Sequence, residues 1–199
     1  RERRVDVDGR QVQIAELGSS RPLVVFVSGL GEDLGSWKAV QPLVAAHTGT
    51  LSYDRSGLGR SDPPAGVRTL DVMAVELHRL LEHTGHAPPY VLVGHSLGGA
   101  LVQQFARTYP RDVGALVLVD PEDQRLLEQL ARSLPPEVWA ERQAALARAM
   151  PGLPDAVRAE MQGMERSPPS ATGLRTDLPL VLLTGTKKNP RFPGNPLEQ

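Results

Sequence analysis

Gly94-His95-Ser96-Leu97-Gly98 places a serine between two glycines at the spacing G-x-S-x-G. The chemistry this spacing permits is nucleophilic attack on a carbonyl by the serine hydroxyl. Such a hydroxyl must stand clear of a sheet edge, which forces a sharp turn from strand into helix. The backbone there is crowded, so the positions two before and two after the serine carry little or no side chain. A helix that starts directly after the serine aims its first N–H groups at the place where an oxyanion would develop. Ser96 is therefore the first candidate for a functional residue.

The turn needs a strand before it and a helix after it, and the stretch from Tyr90 to Tyr109 supplies both. Val91-Leu92-Val93 is a short apolar run suited to a buried strand. Leu101, Val102, Phe105 and Tyr109 recur at helical spacing. A plain Gly/Ser loop would require neither flank.

The rest of the chain alternates in the same way. Asp8-Gly9 interrupts an alternating stretch from Val5 to Leu17 and signals a hairpin at the sheet edge. Leu23 to Val27 is a continuous apolar strand that runs into Ser28-Gly29-Leu30-Gly31. Ser36 is placed to cap a helix from Trp37 to about His47, with Trp37, Val40 and Val44 on one face. Leu51 to Asp54 is the next strand, followed by a loop in which Arg55, Arg60 and Asp62 suggest an ion-pair site. Thr69 caps a helix to about His83, with Leu70, Met73, Leu77 and Leu80 inward and Gly85 as its stop. Leu116 to Val119 is a strand ending at Asp120-Pro121. Short apolar strands separated by helices predict an α/β fold with a mostly parallel central sheet and flanking helices.

From Glu122 to about Thr176 no strand-like run occurs. Helix-forming stretches there are broken by Pro135-Pro136, Pro151, Pro154 and Pro168-Pro169. They read as a helical insertion, whose core is expected to include Trp139, Met150, Met161 and Met164. Strand returns at Leu180 to Thr184, before a tail rich in Pro, Gly and Asn. The expected organisation is a first core part over 1–121, an insertion over 122–176 and a return to the core over 177–199.

Composition removes several classes of function. A net charge of −1 gives no electrostatic footprint for nucleic acid. The absence of cysteine excludes disulfides, thiolate metal sites and cysteine nucleophiles together. No apolar run approaches the ~20 residues of a membrane span. Gly29-Leu30-Gly31 and Gly57-Leu58-Gly59 begin a G-x-G-x-x-G pattern, but Leu34 and Asp62 stand where its last glycine belongs. No dinucleotide cofactor is expected, and no His/Asp/Glu cluster has metal-ligand spacing. The first residue, Arg1, is not methionine, so the start is expected to be processed or excised.

Four segments together resemble the α/β-hydrolase family over nearly the whole chain: GHSLGG at the elbow, SGLG after the third strand, YDRSGLGRSD after the fourth and LVLVDP after the sixth. The resemblance implies an eight-stranded, mostly parallel sheet with a helical cap inserted after strand six. It implies that Ser96 forms an acyl-enzyme with a small carboxylic ester or related acyl compound, without a cofactor. It also implies the Leu97 N–H as one oxyanion donor and the Leu30 N–H as the other. Many family members carry histidine where Ser28 stands. Peptidase, lactonase, thioesterase and haloperoxidase-type chemistry share the fold.

The acid of much of the family follows the seventh strand, yet Gly185-Thr186-Lys187-Lys188-Asn189 holds no carboxylate. The family's other position, at the end of the sixth strand, makes Asp120 the acid that would orient a histidine. The alternative for Asp120 is a cap on the following helix, and Glu122 is the reserve carboxylate. The family's base histidine lies after an eighth strand, whereas the last histidine here is His95, beside the nucleophile. His47, His78, His83 and His86 fall on helix surfaces or loops, so no residue is assigned as the base. The expectation is a C-terminally incomplete fragment of a hydrolase, weak as it stands, with an exposed sheet edge. The alternative is a non-catalytic relative that binds a ligand or partner under its cap.

Overall fold

The structure, a computed structural model, describes residues 1–122, 126–167 and 172–185. The Asp8-Gly9 turn joins β1 (Glu2–Val7) to β2 (Arg10–Leu17), with Val7 paired to Arg10. Asp8 (φ 53°) and Gly9 (φ 83°) are both left-handed, as a two-residue hairpin turn of this twist requires. β3 (Val24–Val27), β4 (Thr50–Tyr53), β5 (Tyr90–His95), β6 (Val113–Val119) and β7 (Leu180–Leu183) complete the sheet. Its order is β1-β2-β4-β3-β5-β6-β7. β2 is antiparallel to both of its neighbours, β1 and β4, and the other neighbouring strands pair in parallel.

The helices α1 (Gln41–Ala45), α2 (Leu70–Thr84) and α3 (Leu97–Thr108) flank the sheet. The α2 termini are those the sequence predicts. The Val72 N–H donates to Thr69 Oγ1 at 3.3 Å, and Gly85 adopts the left-handed conformation (φ 75°) that ends the helix. Its stripe of Leu70, Met73, Leu77 and Leu80 is buried together with Leu101, Val102 and Phe105 of α3 against Val25 and Val27. Val24 and Phe26, one residue out of phase, face the other side and meet Trp37 and Val93. Both faces of β3 are thus covered, which fits its unbroken apolar run.

The helix expected from Ser36 to about His47 is instead two pieces. Asp33 rather than Ser36 makes the cap: its carboxylate accepts the Gly35 N–H at 2.8 Å and opens a 3₁₀ turn over Leu34–Trp37. α1 starts only at Gln41, with Pro42 in its first turn. Proline has no N–H with which to continue a helix, so it fits the start of a new one. Trp37 is still buried, its ring centroid 4.9 Å from that of Phe26.

After β6 come α4 (Leu126–Ser133), α5 (Pro136–Ala149) and α6 (Asp155–Glu165). Among the described residues the insertion shows no separate buried cluster around the expected residues. α5 buries none of its side chains, Trp139 is half-buried, and Met164 packs onto the main core. The element that lies on the core is α6. A Cβ at Gly163 would overlap the Arg68 carbonyl, and the Leu70 N–H donates to Ser167 Oγ at 2.9 Å. The Pro168-Pro169 break and the tail beyond Gly185 lie outside the described residues.

Candidate active site

The parallel strands all end at one edge of the sheet, and the chain reverses its winding there. From β3 it crosses to β4 on one side, then returns to β5 on the other. The loops after β3 and β5 therefore diverge and leave a crevice, which is where α/β sheets bind ligands. Ser28-Gly29-Leu30-Gly31 follows β3, and Ser96 follows β5. The register of β5 with β6 pairs His95 with Val119, so Ser96 and Asp120 leave adjacent strands side by side.

Ser96 has φ 49° and ψ −117°, a conformation that side-chain-bearing residues rarely adopt. Its neighbours hold it there. The Ser96 N–H donates to the Val119 carbonyl at 3.1 Å, and its own carbonyl accepts from the N–H groups of Gly99 at 2.9 Å and Glu122 at 3.0 Å. The two flanking glycines are obligatory for space. A Cβ on Gly94 would overlap the Gly98 carbonyl, and one on Gly98 would overlap the Val27 carbonyl at the end of β3. The next residue, Gly99, lies against Pro121, whose Cβ would be 2.7 Å from an added Cβ. Close packing of α3 against two strand ends thus fixes where the hydroxyl emerges.

Leu97 is the first residue of α3, so its N–H has no acceptor within the helix. The Leu30 N–H makes no hydrogen bond among the described residues. Each is free to donate to a group in the crevice. The peptides around Leu30 are not free: the Gly29 N–H donates to Glu32 Oε2 at 2.9 Å, and the Gly31 N–H donates to Glu160 Oε2 at 3.2 Å.

Asp120 also has positive φ, 40°, and one of its carboxylate oxygens accepts the Gly185 N–H at 2.7 Å. That bond turns the carboxylate toward the end of β7. Glu122 sits closer to the elbow through its backbone, and burial pushes its carboxyl above the usual carboxylate range.

None of the five histidines joins these groups as a base. His95 Nδ1 lies 3.3 Å from Glu32 Oε2, across the crevice from its own turn. Burial raises the Glu32 carboxyl, but the Gly29 N–H and His95 outweigh it and hold the group below its ordinary range. His78 meets Asp112 at 3.0 Å, His86 meets Glu16 at 2.9 Å, His83 meets the Arg79 carbonyl, and His47 is exposed. Among the described residues no group of three or more His, Cys, Asp or Glu could hold a metal, and no helix is long and apolar enough to cross a membrane.

Two residues at the site escape a reading of the sequence. Glu32 is one position past the glycine turn, where only its contact with His95 marks it. Glu160 is one of several acidic residues in the insertion and has no local signal. In the structure it is fully buried against Arg55, with Nε to Oε1 at 2.6 Å. Arg55, Arg60 and Asp62 do not pair with one another among the described residues: Arg55 meets Glu160, Arg60 meets Glu2 and Asp62 meets Arg4. Asp54 accepts from Leu34 and Arg60 N–H at 2.8 Å each, and Asp62 accepts from the Gln11 N–H at 2.8 Å.

A family model described as an alpha/beta hydrolase fold matches residues 22–194. The dihydrolipoyllysine-residue acetyltransferase component of an acetoin cleaving system from Cupriavidus necator is 38% identical over 117 residues, which is 58% of this chain and 31% of that protein. Epoxide hydrolase A of Mycobacterium thermoresistibile superposes with a TM-score of 0.55 at 27% identity, covering 60% of this chain and 38% of that one. A thermophilic esterase from Thermogutta terrifontis shares the fold, with a TM-score of 0.67 at 24% identity over 92% of this chain and 79% of that one. The chain spans between 31% and 41% of the length of four curated relatives it matches.

Proposed function

The chain belongs to the α/β-hydrolase fold family, and from that premise we propose that it carries the nucleophile and oxyanion hole of a serine hydrolase acting on carboxylic esters or related acyl compounds. The observation that carries this reading is the Ser96 backbone at φ 49° and ψ −117°, locked between Gly94 and Gly98 at the switch point of the sheet. A strained conformation of this kind persists only where the surroundings impose it. Here it would set a hydroxyl at the mouth of the crevice, for use with the Leu97 and Leu30 N–H groups.

In the proposed reaction Ser96 Oγ attacks the substrate carbonyl carbon and its proton passes to a base. The carbonyl oxygen gains the negative charge and is met by the Leu97 and Leu30 N–H groups. Collapse of the tetrahedral intermediate expels the alcohol, which takes up the proton, and water then releases the acyl group. Asp120 would orient and charge-compensate the imidazole of the base, with Glu122 as the nearer reserve. The base itself would be a histidine outside these 199 residues. Loss of a triad histidine lowers turnover by about 10⁶-fold and leaves roughly 10³–10⁴ over water. This stretch alone is therefore expected to turn over slowly. Helices α4 to α6, with the chain from 122 to 176, would act as the cap over the crevice.

The test is labelling of the purified chain with a fluorophosphonate, beside hydrolysis of a p-nitrophenyl ester. Slow labelling confined to Ser96 and lost in Ser96→Ala supports the reading. Labelling elsewhere, or none even when a C-terminal segment carrying a histidine is added, overturns it. A second reading, a non-catalytic protein that binds a ligand under the cap, is favoured by one observation: every histidine is engaged or exposed away from Ser96. Ester binding that survives Ser96→Ala without any turnover would select it.

A further inference from the structure

Arg55 and Glu160 are 2% and 0% exposed and form a two-point pair, Nε to Oε1 at 2.6 Å and Nη2 to Oε2 at 2.9 Å. A buried pair of this sort is a poor device for stability, because removing two charges from water offsets what their attraction returns. Its other bonds are more informative. Arg55 Nη1 donates to the Ser28 carbonyl and Nη2 to the Gly29 carbonyl, each at 2.6 Å. Glu160 Oε2 accepts the Gly31 N–H at 3.2 Å. The pair therefore grips the loop after β3 on both sides of Leu30.

The geometry of a peptide unit turns that grip into an aim. The Gly29 carbonyl and the Leu30 N–H belong to one planar trans peptide and point in opposite directions. Fixing the carbonyl on the guanidinium fixes the N–H away from it. Arg55 follows β4 and Ser96 follows β5, and these strands flank β3 on opposite sides. An N–H turned away from Arg55 is turned toward the β5 side, where Ser96 emerges.

Glu160 lies on α6, so the grip also depends on how that helix is seated. Two glycines let it come close. Gly31 (φ 69°) would place a Cβ 2.8 Å from Val157 Cγ2, and Gly57 (φ 83°) would place one 2.9 Å from the Ala156 Cβ. We infer that Arg55 and Glu160 are positioning residues that aim the Leu30 N–H at the oxyanion, so that the oxyanion hole is complete only while α6 is docked on the core. This rests on the reading of Leu30 as an oxyanion donor, and it adds that the insertion governs rate as well as access.

The test uses the whole chain and three measurements: fluorophosphonate labelling of Ser96, thermal melting and amide exchange at Gly31. Glu160→Gln is expected to lower the limiting labelling rate about 10- to 100-fold with the probe's half-saturation concentration unchanged, and to speed Gly31 exchange. That variant leaves Arg55 buried without its counter-charge and is expected to melt lower as well. The double variant Arg55→Met/Glu160→Met replaces the pair by apolar volume and should recover the melting temperature. Labelling that stays slow in the double variant, with Gly31 exchange still fast, supports the inference. Labelling that recovers together with melting, or a Glu160→Gln variant that labels at the parental rate, overturns it. If the parental chain does not label at Ser96, the serine reading fails on its own account. Gly31 exchange then decides: acceleration in both variants supports the grip, and unchanged exchange ends it.

Discussion

The Glu122 N–H donates to the carbonyl of Ser96 at 3.0 Å, tying the first residues after β6 to the turn that carries Ser96. The strained residue is therefore braced twice by the end of β6, since its own N–H is bound to the Val119 carbonyl. The strain and the brace can be separated by substitution.

Ser96→Gly should be more stable than Ser96→Ala by about 1–3 kcal/mol, because glycine occupies φ 49° without the steric cost that any Cβ carries. Both variants should lose labelling. Urea unfolding of the pair measures the difference, and equal midpoints would show that the elbow stores no strain.

Space rather than φ decides at Gly98. A Cβ there meets the backbone carbonyls of Val27 and Ser28, which cannot swing aside as a side chain can. Gly98→Ala should cost about 3 kcal/mol or more. Gly66→Ala, where nothing lies within 4 Å, should stay within about 0.5 kcal/mol of the parent. Two curves that coincide would refute the close approach of α3 to β3.

Glu122 gives a pH dependence with a definite sign. Burial raises its carboxyl, so the folded state holds the proton more tightly than the unfolded chain. The stability this supplies is present below the unfolded value of about 4.3 and is lost as pH rises through the folded value. Glu122→Gln should therefore melt higher than the parent at pH 7, with the gap closing near pH 4. A gap that widens on acidification would mean that the carboxylate is stabilised in the fold.

β7 is 45–55% exposed at each residue from Leu180 to Leu183 and forms one of the two edges of the sheet among the described residues. An apolar edge of this kind pairs with other chains. Val181→Lys with Leu183→Lys should reduce concentration-dependent association in light scattering while Ser96 labelling is retained. Association that is the same in both proteins would show that this edge is not the contact.

What the sequence reveals here is what short-range chemistry decides. Asp8-Gly9, the Thr69 cap with its Gly85 stop, and the glycines around Ser96 each act within a few residues, and each is where the pattern puts it. The break between Leu34 and Gln41 was hidden because Asp33 and Ser36 are equally good caps on paper, and only Pro42 tips the balance. The partner of Arg55 was hidden for a different reason. Glu160 stands among many exposed acids of the insertion, and only the three-dimensional path of α6 singles it out. Leu180 to Leu183 is legible as a strand, but its exposure on both faces depends on what surrounds it.

The separation of Arg55 from Glu160, 105 positions, also has a meaning in time. A ribosome adding about 5–20 residues per second needs roughly 5–20 s to pass from one to the other. During that interval β5 and β6 are made and can pair with the strands already present, while the guanidinium waits for its carboxylate. The turn that bears Ser96 can thus be folded well before the loop opposite it has received its last support, and under the proposed reading a nascent chain would hold its nucleophile before its oxyanion hole is finished.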